Sequence, residues 1–442
     1  MSQPKILLIG DVLVDVTLET SEQELKMRLG GIIHAARGLW AMNINYSVAY
    51  FSPSYLDLQI HDYLKEHGCI DVIKLGNVTG SPYVFLIKEV KEVGDQGYDF
   101  LLREDIEITY DQDAFNLLAK NNYEDILMIS GNYDQARLIN HISGNIHIDI
   151  ANNVMDLSYF ESLNKKIKTV FISTSSTLFQ SHFFGDLNLF NELFKNYTDK
   201  IILKENRGGS RGYNFITGES FSASAQTSKI NHSVGVGDVF DACFIAKVSS
   251  IGLSDAMILS SWLAYEYALT TYPDDFKNAT TRLLKMKTDH LAILKGVALP
   301  WENRNSINIY IAAPDFDFVD TSLIDKLCES LIYHNFTPRR PIKENGQMEL
   351  EALKSRKQDL FNADMNLISE CSILLAVLLF NDPGTLIEIG LAYAKGIPTI
   401  VYDPFNKAEN CMLTELPLLV SSDLDHILSE IFIVASKINV NE

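Results

Sequence analysis

His232-Ser233-Val234-Gly235-Val236-Gly237-Asp238-Val239-Phe240-Asp241-Ala242 follows a polar run, Ser220 to Asn231, and leads into an apolar segment, Val239 to Ile251. That order reads as a glycine-rich turn opening a buried helix. Gly235 and Gly237 let backbone amides approach a ligand closely. A helix start offers free N–H groups and the positive end of its dipole to a phosphate. Asp238 falls in the first turn beside such an anion. A carboxylate there can take a proton from a hydroxyl that attacks phosphorus. The same residues taken alone also suit a loop whose acidic side chain caps a helix, and that reading stays open at this point.

Around this stretch, short apolar runs alternate with longer helical patterns. Strands are expected at Ile6–Ile9, Tyr46–Phe51, Tyr83–Val90, Ile126–Ser130, Ile146–Ile150, Thr169–Ser173 and Lys200–Leu203. Helices are expected at Gly31–Met42, Leu56–His67, Asp111–Asn121, Phe184–Tyr197, Asp238–Ile251 and Ser254–Leu269. Such alternation predicts an α/β fold, a mainly parallel sheet with helices on both faces. Gly80 to Glu107 reads instead as antiparallel strands with turns at Gly94-Asp95 and Gln96-Gly97.

Ser233 to Phe240 resembles the second signature of the ribokinase-like (PfkB) sugar and nucleoside kinases, usually Asp-Thr-x-Gly-Ala-Gly-Asp-x-Phe. Ile6 to Asp15 is similar to that family's opening strand, and Leu29-Gly30-Gly31-Ile32-Ile33-His34-Ala35-Ala36 to its first signature, Gly-Gly-x-x-Asn-x-Ala. The spacing is closest to the heptose-phosphate kinase branch. The resemblance implies a doubly wound sheet with a small β lid, which in the family often makes a dimer contact. It also implies ATP and Mg2+ as cofactors. Asp238 would be the catalytic base, and Asp11, Asp15, Gly30 and Gly31 would hold the sugar. Gly235 and Gly237 would hold the nucleotide phosphates. Lys204 to Gly212 resembles the family's Gly-x-x-Gly nucleotide loop, with Gly209 and Gly212 as its glycines.

Three positions depart from that family. His34 stands for Asn and His232 for Asp, each more suited to hydrogen bonding than to catalysis. Where Asn-x-x-Glu should organise the metal, the chain has Ser173-Thr174-Ser175-Ser176. The loss of that carboxylate removes an anchor for magnesium and weighs against ATP turnover.

The chain changes character at Leu299 to Ser306, a polar connector carrying Pro300. Beyond it come a strand at Ile307–Pro314, a helix at Ser322–His334, another at about Glu349–Ser369, and a strand at Ile373–Phe380. The turn Asp382-Pro383-Gly384-Thr385 then opens a helix with Glu388 one turn in. A carboxylate on a rigid helix beside a strand-end crevice can attack an anomeric carbon or stabilise charge there. A helix cap followed by an ordinary glutamate is the other reading.

The segment from Ile309 resembles the nucleoside 2-deoxyribosyltransferase family. Its marks are Ile309-Tyr310-Ile311-Ala312-Ala313-Pro314, the Asp-x-Gly-(x)₃-Glu-x-Gly-x-Ala core from Asp382 to Ala392, and Asn410-Cys411-Met412. The resemblance implies a small flavodoxin-like or Rossmann-like α/β domain. Glu388 would be the nucleophile on C1′, positioned by Tyr310. Asp382, with Gly384 in its turn, would meet base or sugar, and Asn410 would hold a sugar hydroxyl, often across a subunit boundary. Ser372 stands where that family has an acidic residue. A hydroxyl there would favour 5′-phosphorylated substrates, because a carboxylate would repel the phosphate.

Bulk properties bound these readings. The 442 residues are too many for one ordinary core, so two domains are expected, at residues 1–299 and 307–442. With 37 basic and 57 acidic residues, the net charge of −20 argues against nucleic-acid and anionic-membrane partners. The five scattered cysteines show no CxxC or Cys/His spacing that would suggest zinc, and a reduced cytoplasm fits best. The N-terminal apolar run is broken by Asp11 and Asp15, unlike a signal peptide, and Ile373–Phe380 is too short to span a bilayer.

The expected partner is therefore a small sugar, nucleoside or nucleotide, bound by a homo-oligomer. Two functions are open. One is a fused enzyme that cleaves or exchanges an N-glycosidic bond and phosphorylates a sugar or nucleoside. The other is a kinase-like sensor controlling a glycosidase that destroys nucleotides or NAD, as related domains are thought to do in phage defence.

Overall fold

The computed structural model describes residues 6–19, 24–94, 99–101, 105–150, 154–294, 296–348 and 353–439. The chain divides into two compact units. One comprises Met1–Lys91, Gln96–Gln226 and Ile230–Ala298; the other comprises Leu299–Glu442 with Glu92–Asp95 and Thr227–Lys229.

The strands of the first unit are β1 (Ile6–Asp11), β2 (Val14–Thr17), β3 (Lys26–Leu29), β4 (Tyr46–Ser52), β5 (Cys69–Thr79), β6 (Val84–Ile87) and β7 (Asp99–Phe100). They continue with β8 (Glu107–Tyr110), β9 (Asp125–Ile129), β10 (Asn145–Asp149), β11 (Thr169–Ser173), β12 (Lys200–Lys204), β13 (Ser210–Asn214) and β14 (Glu219–Ala223). The main sheet has the order β14-β13-β12-β11-β10-β9-β1-β4-β5-β8. Its seven inner strands are parallel, and β8, β13 and β14 are joined antiparallel at the edges. β1, β4, β9 and β11 read as near-continuous apolar runs, as parallel strands covered on both faces do, and β4 is buried at every residue.

From β1 the chain builds outward on one side through β4 and β5, then returns to β9 on the other side. The carboxyl end of β1, where Asp11 lies, is therefore a switch point of the kind that holds ligands in open α/β sheets. The helix Val236–Ile251 packs on this sheet with Phe240, Phe244 and Ile245 in its core.

The lid is a second sheet, β3-β2-β6-β7. Half of it comes from residues ahead of Gly80. After β1 the chain leaves the main sheet, with the Val12 N–H bonded to the Phe51 carbonyl and the Val14 N–H to that of Tyr83. Val14 to Leu29 then forms the β2–β3 hairpin. The expected stretch ends at Glu107, and β8, which starts there, pairs with β5 in the main sheet. The expected turn at Gln96-Gly97 and residue Asp95 of the other turn lie outside the described residues.

The second unit is a five-stranded parallel sheet, β16-β15-β17-β18-β19. Its strands are β15 (Asn308–Ala312), β16 (Thr337–Arg339), β17 (Ile373–Val377), β18 (Thr399–Tyr402) and β19 (Leu419–Ser421). The α/β class expected for both parts is thus the one observed. Tyr310, Leu374, Ala376, Ile389 and Ala392 share one core cluster. That cluster seats the helix Pro383–Ala394 against the sheet. Among the described residues no helix is long and apolar enough to cross a membrane.

Candidate active sites

In the first unit, Gly235 takes a left-handed conformation (φ +76°) at the start of the helix Val236–Ile251. A Cβ at Gly235 would run into the His34 ring, so only glycine fits there. The loop before it is pinned by neighbours. The Ser233 N–H donates to the Val90 carbonyl, and the His232 N–H and Nε2–H donate to the carbonyls of Ala268 and Thr270. The first helical N–H groups have no intrahelical partner, and that of Val236 turns back to Ser233.

Asp238 stands in the first turn, partly covered. Burial, reinforced by Asp149 and Asp15 and opposed by Lys204, raises its pKa from 3.8 to about 7. Behind it, Lys204 at the end of β12 donates to Asp149 Oδ2 and Asp241 Oδ2, each at 2.8 Å. Burial works against the Lys204 charge, but the two carboxylates overcome it and hold the ammonium protonated. Burial pushes the Asp241 carboxyl well above its usual range, Lys204 opposing and Asp149 adding to the rise. These ionic partners were not foreseen. Asp149 and Lys204 end their strands, where polar groups gather in parallel sheets, and that position was the available signal.

The side expected to hold the sugar is built from β1, β2 and the Gly30-Gly31 turn. Asp15 is buried, with Gly30 so close that any side chain there would strike its carboxylate. The neutral His34 ring donates Nε2–H to Asp15 Oδ2 at 2.9 Å and accepts at Nδ1 from the Tyr267 hydroxyl at 2.7 Å. Burial lowers the His34 pKa to about 4 and the His232 pKa to about 3, so both rings are neutral at pH 7. Asp11 accepts the Asn132 N–H at 3.0 Å, and burial raises its pKa to about 6. The Gly31 turn folds over the Asp11 carbonyl. Asp11, Asp15, Gly30 and Gly31 therefore line one end of the sheet, and the charge of Asp15 is felt at Asp238.

The expected nucleotide loop at 204–212 has a different form. Gly209 sits in a turn with φ +102° after β12. Gly212 lies within β13, paired with Phe221 of β14, and that ring fills the space a side chain would need. Arg211 donates two bonds to Glu205, at 2.7 and 2.8 Å. The alternation of small and polar residues concealed a hairpin.

No carboxylate stands at 173–176, where one was expected to organise the metal. Ser173 ends β11, Thr174, Ser175 and Ser176 follow it, and the Ser173 and Ser175 hydroxyls bond to each other. Among the described residues no group of three or more His, Cys, Asp or Glu side chains is placed to hold an ion.

In the second unit, the Tyr310 hydroxyl of β15 donates to Glu388 Oε1 at 2.7 Å. Burial raises the Glu388 pKa from 4.5 to about 7; Tyr310 opposes the rise, and Asp364 and Asp382 add to it. Burial and the Glu388 charge push the Tyr310 hydroxyl far up, so it remains a donor. Asp382 caps the helix, its Oδ2 accepting from Thr385 N at 2.8 Å and Thr385 Oγ1 at 3.0 Å. Gly384 is exposed in that first turn. Asp364 was not expected here. It accepts from Asn345 Nδ2 at 2.8 Å, and burial raises its pKa. It sits mid-helix among other charged residues, so no local pattern marked it.

Two further expected residues lie outside this hydrogen-bonded group. Asn410 is exposed and caps the short helix Cys411–Glu415 through Met412 N, 2.8 Å away. Ser372 precedes β17 and donates its N–H to the Asn308 carbonyl, at the end of the strand remote from Asp382. The five residues of β17 separate those two ends by about 17 Å at ~3.3 Å per residue. Ser372 therefore does not join Asp382 at the crevice.

The family model of nucleoside 2-deoxyribosyltransferase matches residues 309–419. No curated protein matches the chain. Solved structures similar to it include phosphofructokinase-2 from Escherichia coli in complex with potassium, at 11% identity over 64% of this chain and 100% of that one, TM-score 0.47. Arabidopsis thaliana ribokinase complexed with ribose and ATP aligns at 12% identity over 64% and 99%, TM-score 0.46. Ribokinase from Thermotoga maritima aligns at 15% identity over 64% and 99%, TM-score 0.46.

Proposed function

We propose that the chain joins two activities on sugar-bearing metabolites, an N-glycosidic one in residues 307–442 and a phosphoryl-transfer one in residues 1–299. The observation that carries the first is the Tyr310–Glu388 hydrogen bond inside the region matched by the deoxyribosyltransferase model. Ionised Glu388 attacks C1′ of a nucleoside or nucleotide. The C1′–N bond breaks, its electron pair leaves with the base, and the base takes up a proton. Water or a second base then attacks C1′ and frees Glu388. Tyr310 holds one oxygen of Glu388, leaving the other to react. Asp382 anchors the crevice, and Asn410 serves the sugar from a neighbouring copy in a homo-oligomer.

In the other unit, Asp238 with a pKa near 7 takes the proton of a sugar or nucleoside hydroxyl. The alkoxide attacks the γ-phosphorus of ATP and ADP leaves. The N–H groups around Gly235 and Gly237 receive the transferred group, with Gly209 on the nucleotide side. Asp11 and Asp15 orient the sugar. Mg2+ would arrive with ATP and be held mainly by its phosphates and by water, without help from a carboxylate at 173–176. The acidic unit with unpaired cysteines suits a cytoplasmic enzyme.

The serine-rich loop at 173–176, in place of a metal-organising carboxylate, favours a second reading of the first unit. It would bind a sugar phosphate or nucleotide without turnover and control the glycosidic unit. The test is base release and ATP consumption on a panel of nucleosides, nucleotides, NAD and sugars. Glu388→Ala should lose base release by about 10⁴-fold while staying folded. Asp238→Asn should lose phosphate transfer while keeping ATP binding. Base release that survives in Glu388→Ala, or transfer that survives in Asp238→Asn, would sink the corresponding assignment. A wild type that transfers phosphate to nothing on the panel favours the sensor.

A further inference from the structure

The carboxyl end of β18 carries a buried acid that the reaction above does not use. Asp403 follows Tyr402 and is 4% exposed, and both of its oxygens accept backbone N–H groups of the loop beyond it. Oδ1 takes the Lys407 N–H at 2.7 Å, and Oδ2 takes the Ala408 N–H at 2.8 Å. Bonds of this kind to a carboxylate are stronger than those between neutral groups. The Asp403 backbone is fixed as well. Its N–H donates to the Ser421 carbonyl at 2.9 Å, and its carbonyl accepts from Asn406 at 3.3 Å. Asn406 turns the chain with φ +52°. One carboxylate thus closes residues 403–408 into a loop in which Phe405, Asn406 and Lys407 are exposed.

That loop leads straight to Asn410. Ala408 before it and Leu413 after it both pack on the core cluster that contains Tyr310 and Ile389. Leu386, on the helix that bears Glu388, packs on the same cluster. Tyr402 is paired with Val377, the last residue of β17. Asp403 therefore stands where the strands open toward Asp382, at the carboxyl ends that form the crevice of a parallel sheet. Asn410 Oδ1 accepts the Met412 N–H, and among the described residues its two Nδ2–H donors have no partner, so they are available to a sugar oxygen.

We propose that Asp403 is a positioning residue for the N-glycosidic reaction, clamping the loop that presents Asn410 to the sugar. The proposal rests on the N-glycosidic reading of residues 307–442 and names the device that sets Asn410. Both Asp403 oxygens are taken up by the loop, so the residue acts through Asn410 and not on the substrate. An unclamped loop would lose chain entropy each time it brought Asn410 to the sugar. Asn410 holds the sugar before and during bond breaking alike. Losing its position therefore weakens binding and leaves the chemical step unchanged.

The test is a double-mutant cycle in the full chain, comparing wild type, Asp403→Ala, Asn410→Ala and the double variant. Substrates are 2′-deoxyadenosine, 2′-deoxycytidine and their 5′-monophosphates. Base release is read as KM and kcat on whichever the wild type turns over fastest. Asp403→Ala should raise KM about tenfold with kcat within about twofold, and Asn410→Ala should do the same. The double variant should stay near about tenfold, where independent residues would multiply to about a hundredfold. Asp403→Asn keeps one accepting oxygen and should fall between wild type and Asp403→Ala. It takes the place of Asp403→Ala in the cycle if melting curves show that variant unfolded. An unchanged KM in Asp403→Ala, losses that multiply in the double variant, or a fall in kcat beyond about tenfold overturns the proposal. Glu388→Ala is assayed alongside. Base release that survives in it while the cycle holds sinks the covalent reading and leaves the role of Asp403 standing. Release that depends on Glu388 while the losses multiply does the reverse. A wild type that releases no base from these substrates overturns both.

Discussion

Tyr310→Phe removes one hydroxyl from a wholly buried ring and leaves its packing in place. The hydroxyl donates to Glu388, so it favours the ionised carboxylate. A hydrogen bond to a charged group contributes about 1.5–3 kcal/mol, and one pKa unit corresponds to about 1.4 kcal/mol. The Glu388 pKa, about 7 in the intact protein, should therefore rise by roughly one to two units. The nucleophile is the ionised form, so kcat/KM climbs with pH through this pKa, and the climb moves to higher pH in the variant. At pH 7 the ionised share falls from about half to between roughly one in ten and one in a hundred. The expected loss is thus on the order of 5- to 50-fold at pH 7, much of it recovered near pH 9. The assay is release of free base from a deoxynucleoside, read as kcat/KM across that range. A rising limb that stays in place, or moves to lower pH, refutes the reasoning. An equal loss at every pH would assign Tyr310 to positioning alone.

Glu388→Gln should stabilise the fold at pH 8 but not at pH 4. The folded pKa lies above the ordinary 4.5, so ionisation opposes folding, and stability is lost as pH rises between 4.5 and about 7. The loss is of order 3 kcal/mol, visible in denaturant melts at the two pH values. Gly235→Ala should destabilise the first unit by at least 1–3 kcal/mol, from a left-handed φ and the His34 ring. His34→Ala in the same chain should restore part of that loss, and melting curves of the single and double variants report it. Ser372→Asp should change the preference between a deoxynucleoside and its 5′-monophosphate by less than about twofold, since the residue lies at the far end of β17. A tenfold swing in kcat/KM ratios would return Ser372 to the site.

Much of this architecture was legible because parallel strands covered on both faces are continuous apolar runs. Thr169–Ser173 was read to the residue for that reason. β5 was missed because Asp71, Lys74 and Asn77 interrupt its pattern near the sheet edge. The lid was half misplaced, since nothing local marks Val12-Leu13 as the point where the chain changes sheets. Ser372 was misjudged for a related reason, as spacing from a motif does not say which end of a strand a residue occupies. The pairings Lys204 with Asp149 and Asp241, and Asp364 beside Glu388, join segments far apart in sequence and follow only from the sheet order. Asp238 and Glu388 stood out as candidates because each follows a glycine-bearing helix start, Asp238 in the first turn and Glu388 one turn in.

The central claim is that Glu388 bonds covalently to the sugar, and trapping that bond tests it most directly. A 2-fluoro-substituted nucleoside slows release of a glycosyl-enzyme by destabilising the positive charge of the second step. Intact-mass measurement of the full chain should then show one sugar added, and peptide mapping should place it on Glu388, with Glu388→Gln unmodified. Release of base at full rate with no adduct, or an adduct on another residue, would contradict the account.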